Sequence, residues 1–305
     1  MSSMALYLIL ASIFMHSLWH FLCKSSGKPS MAFFAVFSTS LFITISPLAL
    51  SSNLIGTVPF SIVKYAIAGG ISGVICDIGL IWAYRYCDIS LAYPMARALP
   101  VLFTMVATSC FGWGKTLSVL AILGMIIIFA GCIIMAFSSG AKDVALKEKL
   151  LLLKKGLIGI LIAALGTTSY TIVDKFGVDG MVNFAPNVSK LQAAGTYSCI
   201  REFFAMITMW LLVFIRHLQG KDKGYLTALV KQYHPYCAGF FAALAYVVIL
   251  VAMNHVTNVS FVQAFRQLSL PLSAFLGYFI LKEKITLIRW IGLSFIMAGL
   301  ILSVF

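Results

Sequence analysis

The sequence predicts an all-α integral membrane protein with ten transmembrane helices, arranged as two inverted five-helix repeats. Three observations lead to this prediction: the composition is strongly apolar, the apolar residues fall into ten runs of helical length, and the two halves of the chain repeat each other. Of the 305 residues, 61% are hydrophobic and 10% are charged, with a mean hydropathy of +1.02. Soluble domains carry about 25% charged residues, so lipid is the expected solvent of this chain.

Ten apolar runs are separated by short polar segments, and each approaches the roughly 20 residues that a membrane-spanning helix needs. The predicted spans are 4–22, 31–51, 61–86, 91–112, 117–138, 155–176, 192–215, 235–254, 258–281 and 285–305. The first run lacks the basic segment and cleavage site of a signal peptide, so we expect it to be retained. The longest polar segments, 138–155 and 216–234, are too polar to form a core, which excludes a soluble catalytic domain.

The two halves of the sequence resemble each other at several places. The matching elements are residues 18–24 with 169–175, residues 83–90 with 253–260, Gly124 with Gly292, and Gly131 with Gly299. Because each repeat holds five spans, an odd number, the two copies must cross the membrane in opposite directions, as in many secondary transporters. We therefore divide the chain into a first repeat (1–140), a charged linker (141–154) and a second repeat (155–305), with Trp19 equivalent to Tyr170.

Small residues recur at helical spacing and predict close helix contacts. They occur in the segment 69–73 (GGISG) and in the seven-residue pairs Gly124/Gly131 and Gly292/Gly299. Such faces allow backbones to approach closely in lipid. Two roles are open for the glycine pairs, namely packing within one bundle or a seam between two copies in a homodimer.

Positive charge is distributed unequally between the loops. The net charge is +13, and the loops after odd-numbered spans hold fifteen Lys and Arg residues against four in the loops after even-numbered spans. Basic loops stay on the cytoplasmic side of the plasma membrane, the inner membrane of a bacterial cell. The distribution predicts a multi-pass protein of that membrane with both termini outside, and it attributes the positive charge to headgroups and topology instead of nucleic acid.

Polar side chains inside spans are costly and mark candidate functional positions. Tyr93 and Arg97 lie four residues apart, and so do Tyr170 and Asp174, so each pair occupies one face of its helix. Arginine offers a rigid fork of donors that suits a carboxylate. We expect these four residues to line a central cavity, in which Arg97 and Asp174 compensate each other when no substrate is bound.

Further polar residues extend this candidate set. Trp19, His20, Gln263 and Arg266 are expected to contribute to substrate binding, and Asp77 and His16 are candidates for proton coupling. Arg201 and Glu202 are adjacent inside the seventh span, and their simplest role is structural, as an ion pair in which they neutralise each other or a charge on a neighbouring helix. A hydrogen-bonded structural role also remains open for the pair His16 and His20.

Several other chemistries are not supported. Seven cysteines stand singly without metal or redox spacing, and two histidines without a third ligand are weak grounds for a metal site. Gly114-Lys115-Thr116 resembles the end of a phosphate-binding loop, but position 109 is serine where that motif requires glycine. We therefore expect no cofactor, metal, nucleotide or nucleic acid to bind, and we do not expect an enzymatic activity.

The segment 83–100 (AYRYCDISLAYPMARALP) resembles the EamA-type permeases of the drug/metabolite transporter superfamily through its Tyr-Pro-x-x-Arg element. Residues 170–175 (YTIVDK) are similar to the second-half counterpart, and residues 281–286 (LKEKIT) with Gly292 and Gly299 to the last loop and helix of this family. The resemblance implies a ten-helix carrier with alternating access, whose relatives often export amino acids or other small metabolites without ATP. The sequence departs from the family pattern at Lys115, because the equivalent residue of the second half is Glu283. Many relatives are drawn with cytoplasmic termini, whereas the loop charges of this chain predict both termini outside.

Together these observations predict a secondary transporter that exports small polar metabolites such as amino acids or related carboxylate and zwitterionic compounds. The alternative is a flippase for lipid-linked sugar or polyprenyl-phosphate groups, which would need a lateral opening and a basic groove. A non-transporting scaffold would not require Arg97, Asp174 and Asp77 inside spans.

Overall fold

The computed structural model describes residues 3–26, 30–86, 89–138, 146–220, 230–272 and 286–304, and within these ranges the chain is helical without any β-strand. The helices are α1 (Ser3–Ser25), α2 (Met31–Leu50), α3 (Phe60–Tyr86), α4 (Ile89–Cys110), α5 (Val119–Ser138), α6 (Leu146–Phe184), α7 (Lys190–Leu218), α8 (His234–Met253), α9 (Ser260–Phe265) and α10 (Leu287–Val304). A 3₁₀ turn, Arg266–Leu268, follows α9 directly.

Local sequence explains where several helices begin. Ser30 precedes α2 and its hydroxyl accepts a hydrogen bond from the Phe33 amide at 3.2 Å, and Ser189 caps α7 in the same way through the Gln192 amide. Such caps satisfy amides that have no partner within the helix. In α8 a proline occupies the first turn, where a missing N–H costs nothing.

The predicted spans agree with the helices to within three residues except for the sixth and the ninth. Helix α6 has 39 residues, which corresponds to about 58 Å at about 1.5 Å per residue and exceeds a hydrocarbon core of about 30 Å. It begins at Leu146, so the second part of the predicted linker is helical, while residues 141–145 lie outside the described ranges. The ninth span was predicted to be continuous, but it changes to a 3₁₀ turn ahead of Pro271, and residues 273–285 are not described.

Six of the described helices are long and apolar enough to cross a membrane. These spans are Ser3–Cys23, Met31–Leu50, Phe60–Tyr86, Lys154–Phe184, Lys190–Leu218 and His234–Met253. Shorter apolar helices comprise Met95–Cys110, Val119–Met135 and Leu287–Ser303. The chain is therefore a multi-pass membrane protein.

The helices form two compact units, and each unit combines elements from both halves of the sequence. Unit 1 contains Ile78–Thr168 and Val256–Phe305, and unit 2 contains Ser2–Asp77 and Ser169–His255. Helices α3 and α6 contribute residues to both units. The compact units thus follow a different division from the repeats predicted along the chain.

Within unit 1, α5 lies against α10 along a seam of glycines. A Cβ atom added to Gly124 would lie 2.6 Å from the Gly299 carbonyl oxygen, and one added to Gly131 would lie 2.7 Å from the Gly292 carbonyl oxygen. These distances are too short for a side chain, so the two backbones touch because both helices carry glycine there. Of the two roles left open for these glycines, packing within one chain is the one observed.

Gly131→Leu should therefore lower the thermal unfolding midpoint of the detergent-purified protein by several degrees, because overpacking costs about 1–3 kcal/mol. Ile126→Leu, at a position on α5 that is 45% exposed, serves as the control and should leave the midpoint unchanged. The loss should be independent of protein concentration. A loss that depends on concentration would instead place Gly131 at an interface between two copies.

Within unit 2, short polar contacts join the helices. The Ser12 hydroxyl of α1 donates to the Ala245 carbonyl of α8 at 2.8 Å, and the hydroxyls of Ser72 on α3 and Ser169 on α6 lie 2.9 Å apart. Helix α2 packs against α7 and α8. In lipid such contacts hold helices together without a hydrophobic driving force, and they fix α6, α7 and α8 around one buried group of charges.

Candidate functional site

The carboxylate of Asp174 lies at the centre of a buried polar cluster in unit 2. It is fully buried, and its Oδ1 atom accepts a hydrogen bond from the Tyr197 hydroxyl at 2.7 Å. Its Oδ2 atom accepts from the Nε atom of Arg201 at 3.1 Å and from the Tyr246 hydroxyl. Helices α6, α7 and α8 thus supply one acceptor and three donors, which is the environment of an ionised carboxylate.

The guanidinium group of Arg201 connects this carboxylate to a second one. Its Nη1 atom donates to Oε1 of Glu202. Both residues are buried, with Arg201 5% and Glu202 3% exposed. The guanidinium lies over two aromatic rings, 5.2 Å from the centre of Tyr170 and 4.6 Å from that of Tyr246. Two carboxylates and two ring faces together hold the cation in one position.

Glycines provide the space that this cluster occupies. A Cβ atom on Gly69 would overlap the carboxylate of Asp174, and one on Gly177 would overlap the ring of Tyr197. A Cβ atom on Gly73 would lie 3.1 Å from Nη2 of Arg201. The glycines of the 69–73 segment therefore serve the charged cluster of unit 2 as well as close helix packing.

Negative charge exceeds positive charge in this part of unit 2. Among the described residues, Asp174 and Glu202 contact one cation, Arg201, and Asp77 on α3 also interacts electrostatically with Arg201 and Glu202. With all groups ionised, three carboxylates face one guanidinium. Uncompensated charge is expensive inside membrane-spanning helices, so this group is suited to take up a proton or a cationic group.

A second buried charged group lies in unit 1. Arg97 on α4 is 8% exposed, and its Nη2 atom donates to the Arg266 carbonyl oxygen and to the Ser269 hydroxyl, each at 2.9 Å. The Arg266 carbonyl belongs to the 3₁₀ turn that interrupts the ninth span. Arg97 thus binds the backbone of an interrupted helix.

Gln263, Arg266 and Gln267 are also buried in unit 1. The Gln267 amide nitrogen donates to the Gln263 carbonyl at 3.0 Å, one helical turn earlier. Four polar or charged side chains of unit 1 are therefore held inside apolar helices, with Arg97 and Arg266 carrying positive charge.

On α1, in unit 2, the predicted residues Trp19 and His16 contact each other. The indole Nε1 atom donates to Nδ1 of His16 at 2.8 Å, and the Trp19 ring lies 5.5 Å from that of Phe37. Because an indole only donates, Nδ1 must be unprotonated, so His16 is neutral in this arrangement. The side chains of His20 and Tyr93 lie outside the described residues, as does the loop that contains Glu283.

The structure changes the predicted pairing of charges. Arg97 was expected to compensate Asp174, but the ion-pair partner of Asp174 is Arg201. The predicted pair Arg201–Glu202 is confirmed, with Asp174 as an additional partner. Tyr170 and Asp174 occur in one cluster as predicted, and Arg97 and Arg266 are in contact in unit 1.

Tyr197 and Tyr246 were not predicted, although both bind Asp174. A signal for Tyr197 was present, because Tyr197 and Arg201 show the same four-residue spacing that singled out Tyr93 with Arg97 and Tyr170 with Asp174. Tyr246 has no polar neighbour at helical spacing on α8, so its role depends on packing alone. Among the described residues, no group of three or more His, Cys, Asp or Glu side chains has metal-binding geometry.

Long apolar helices with buried charged clusters define a class of protein, namely multi-pass α-helical membrane transporters. Residues 154–305 match the model of the EamA-like transporter family, and the chain belongs to this family. The predicted resemblance is thereby confirmed over the second half, and the protein is a membrane transporter of small molecules. Members of this family are transporters rather than enzymes.

The fold is shared with solved structures. One crystal structure, described only as "Crystal structure of protein", is 14% identical in sequence and superposes with a TM-score of 0.62 over 99% of this chain and 97% of the other. At this identity the likeness shows the fold alone. No curated protein sequence matches the chain.

Proposed function

We propose that the protein is a secondary transporter that exports small polar metabolites carrying a carboxylate, such as amino acids or related zwitterions, by alternating access in the plasma (inner) membrane. The observation that carries this proposal is the contact of the buried Arg97 guanidinium with the interrupted ninth span. Discontinuous helices in transporters commonly form substrate and ion sites, because their freed backbone groups face the ligand. A guanidinium at such a place favours a carboxylate-bearing ligand.

The packing within each unit supports inverted five-helix repeats. If the first half is equivalent to the second, α1 corresponds to α6, α3 to α8 and α5 to α10. Helix α1 packs against α8, and its counterpart α6 packs against α3. Helix α5 packs against α10, its own counterpart. The contacts are therefore unchanged when the halves are exchanged, as expected for repeats of opposite orientation.

The substrate class is tested with purified protein in liposomes loaded with amino acids and short mono- and dicarboxylates. We expect release of at least one carboxylate compound, and Arg97→Lys should lower that transport at least tenfold, because lysine retains the charge but loses the planar fork. Arg85→Lys, at an exposed position of unit 1, is the control and should transport normally. Normal transport by Arg97→Lys and Arg97→Ala would refute this role of Arg97. Movement of a lipid-linked sugar or polyprenyl phosphate in place of these solutes would favour the flippase alternative.

Orientation is a separate prediction, because fifteen of the nineteen basic loop residues follow odd-numbered spans. Epitope tags at either terminus should be labelled on intact cells by a reagent that does not cross the membrane. A tag inserted into the basic segment 138–155 is the matched control and should require permeabilisation. Labelling of that internal tag alone would reverse the orientation and place both termini in the cytoplasm.

A further inference from the structure

The Arg201 guanidinium in unit 2 is positioned to bind a carboxylate other than that of Glu202. We infer that Glu202 is a proton-controlled gate on Arg201, so that protonation of Glu202 releases the Nη1 edge of the guanidinium for the carboxylate of a transported molecule. The transporter would then bind one proton together with each carboxylate. This inference rests on the proposed function, because it requires a substrate of that class, and it adds a second carboxylate-binding residue and the coupling ion.

Asp174 is the partner that stays in place. Both of its oxygen atoms are engaged, one by Tyr197 and the other by Arg201 and Tyr246, and the residue is fully buried. Moving this carboxylate away would leave three donors from α7 and α8 without their acceptor at once. Asp174 therefore acts as the fixed counter-ion of the guanidinium.

Glu202 is the partner that can be exchanged. Among the described residues its carboxylate has Arg201 as hydrogen-bond donor, and it is adjacent to Arg201 on α7. When the carboxylate is protonated, the ionic part of this bond is lost and a substrate carboxylate competes for the same Nη1 atom. A carboxylate bound to a guanidinium gains about twice the energy of a neutral hydrogen bond.

The guanidinium remains oriented when Glu202 is released. Its Nε atom is still held by Asp174 at 3.1 Å, and the guanidinium still lies over the rings of Tyr170 and Tyr246. An arginine held in this way loses little side-chain freedom on binding a ligand. The site is thus ordered before the substrate arrives.

The cost of net charge buried in the membrane explains why a proton must accompany the substrate. Asp174, Glu202 and Arg201 together carry one net negative charge when all are ionised. Binding of a carboxylate alone would raise this to two, whereas binding of a carboxylate and a proton leaves it at one. Asp77 also interacts with Arg201 and Glu202, and when ionised it makes binding of a carboxylate without a proton still less favourable.

Other titratable groups face this site from each neighbouring helix. They are Asp77 on α3, Tyr170 and Asp174 on α6, Tyr197 and Cys199 on α7, Tyr246 on α8, and Cys23 on α1, which interacts with Asp77. Helix α2 contains no titratable residue. Glu202 is singled out from this set because it alone combines a carboxylate, direct contact with Arg201 and a single donor.

The experiment measures carboxylate binding and proton uptake together, with the full-length protein in detergent and weak buffer. The probes are the amino acids and short carboxylates named above, binding is measured calorimetrically, and protons are measured with a pH indicator. Wild-type protein should take up about one proton per bound carboxylate, and its affinity should fall about tenfold per pH unit once Glu202 is ionised. Glu202→Gln, which mimics the protonated state, should bind the same probe without proton uptake and with an affinity that changes less than twofold between pH 6 and 8.

A control variant makes the result specific. Asp179→Asn removes an acid that pairs with Lys175 at 2.7 Å and should retain the uptake of one proton. Binding by the wild-type protein without proton uptake, or unchanged uptake in Glu202→Gln, would overturn the inference and leave the proposed function standing. Binding of no carboxylate by the wild-type protein would overturn the proposed substrate class and this inference with it.

Discussion

Gly69→Ala should lower the thermal unfolding midpoint of the purified protein by about 6–12 °C, the shift that corresponds to a loss of about 3 kcal/mol. The added methyl group would overlap the carboxylate of Asp174, which cannot move aside because Tyr197, Arg201 and Tyr246 hold it. Displacing the carboxylate would leave buried donors and a buried guanidinium without their partner. Breaking a buried ion pair in this way typically costs about 3–5 kcal/mol.

Gly180→Ala is the matched control, because it adds the same methyl group to a neighbouring part of unit 2. A Cβ atom there would lie 3.3 Å from Cγ1 of Ile62, the flexible part of an apolar side chain. Both exchanges gain the same helix propensity, up to about 1 kcal/mol, so their difference measures the overlap with Asp174. Gly180→Ala should match or exceed the midpoint of the wild-type protein, and equal midpoints for the two variants would contradict the geometry of the cluster.

The positions of the helices were predictable because lipid imposes a single requirement on every span, namely about 20 consecutive apolar residues. Departures arise where another requirement applies. Helix α6 continues beyond its apolar segment, since residues such as Lys154 and Lys155 favour a helix in water as well as in lipid. The ninth span is interrupted near Pro271, where the missing N–H leaves a carbonyl without its helical partner.

The members of the candidate site were partly predictable, but their partners were not. Four-residue spacing identified Tyr170 with Asp174 because it reports on a single helix. Which cation meets Asp174 depends on how α6, α7 and α8 pack, and no property of one helix contains that information. The sequence therefore paired Arg201 with Glu202 or with an unspecified neighbouring helix, and it could not identify Asp174 of α6 as that second partner.

Arg201→Gln should destabilise the protein far more than Asp174→Asn, because the cluster has more carboxylates than cations. Without Arg201, Asp174 and Glu202 remain buried with no ion-pair partner among the described residues, at a cost of about 3–5 kcal/mol. Asp174→Asn instead leaves Arg201 and Glu202 balanced one to one. With the amide nitrogen in place of Oδ1, the amide oxygen still accepts from Arg201 and Tyr246, and the Tyr197 hydroxyl accepts from the nitrogen. That loss should be about 1–2 kcal/mol, the range of weakened hydrogen bonds to a charged group. Midpoints of thermal unfolding in one detergent at pH 7.5 would rank the two variants.

Acidification and a second substitution test the cause of this ranking. A lower pH supplies protons in place of the lost cation, so Arg201→Gln should regain stability between pH 8 and pH 5.5, while Asp174→Asn should change little over that range. Adding Asp174→Asn to Arg201→Gln removes one of the two uncompensated charges, and the double variant should be more stable than Arg201→Gln alone. Such a non-additive result is the signature of groups in one network.

Two outcomes would contradict this explanation, namely that Asp174→Asn is as damaging as Arg201→Gln, or that acid does not rescue Arg201→Gln. Either outcome would mean that the excess negative charge does not affect the stability of the protein. A proton-controlled Glu202 would then lose its physical basis, because charge balance would no longer require a proton to enter with the substrate.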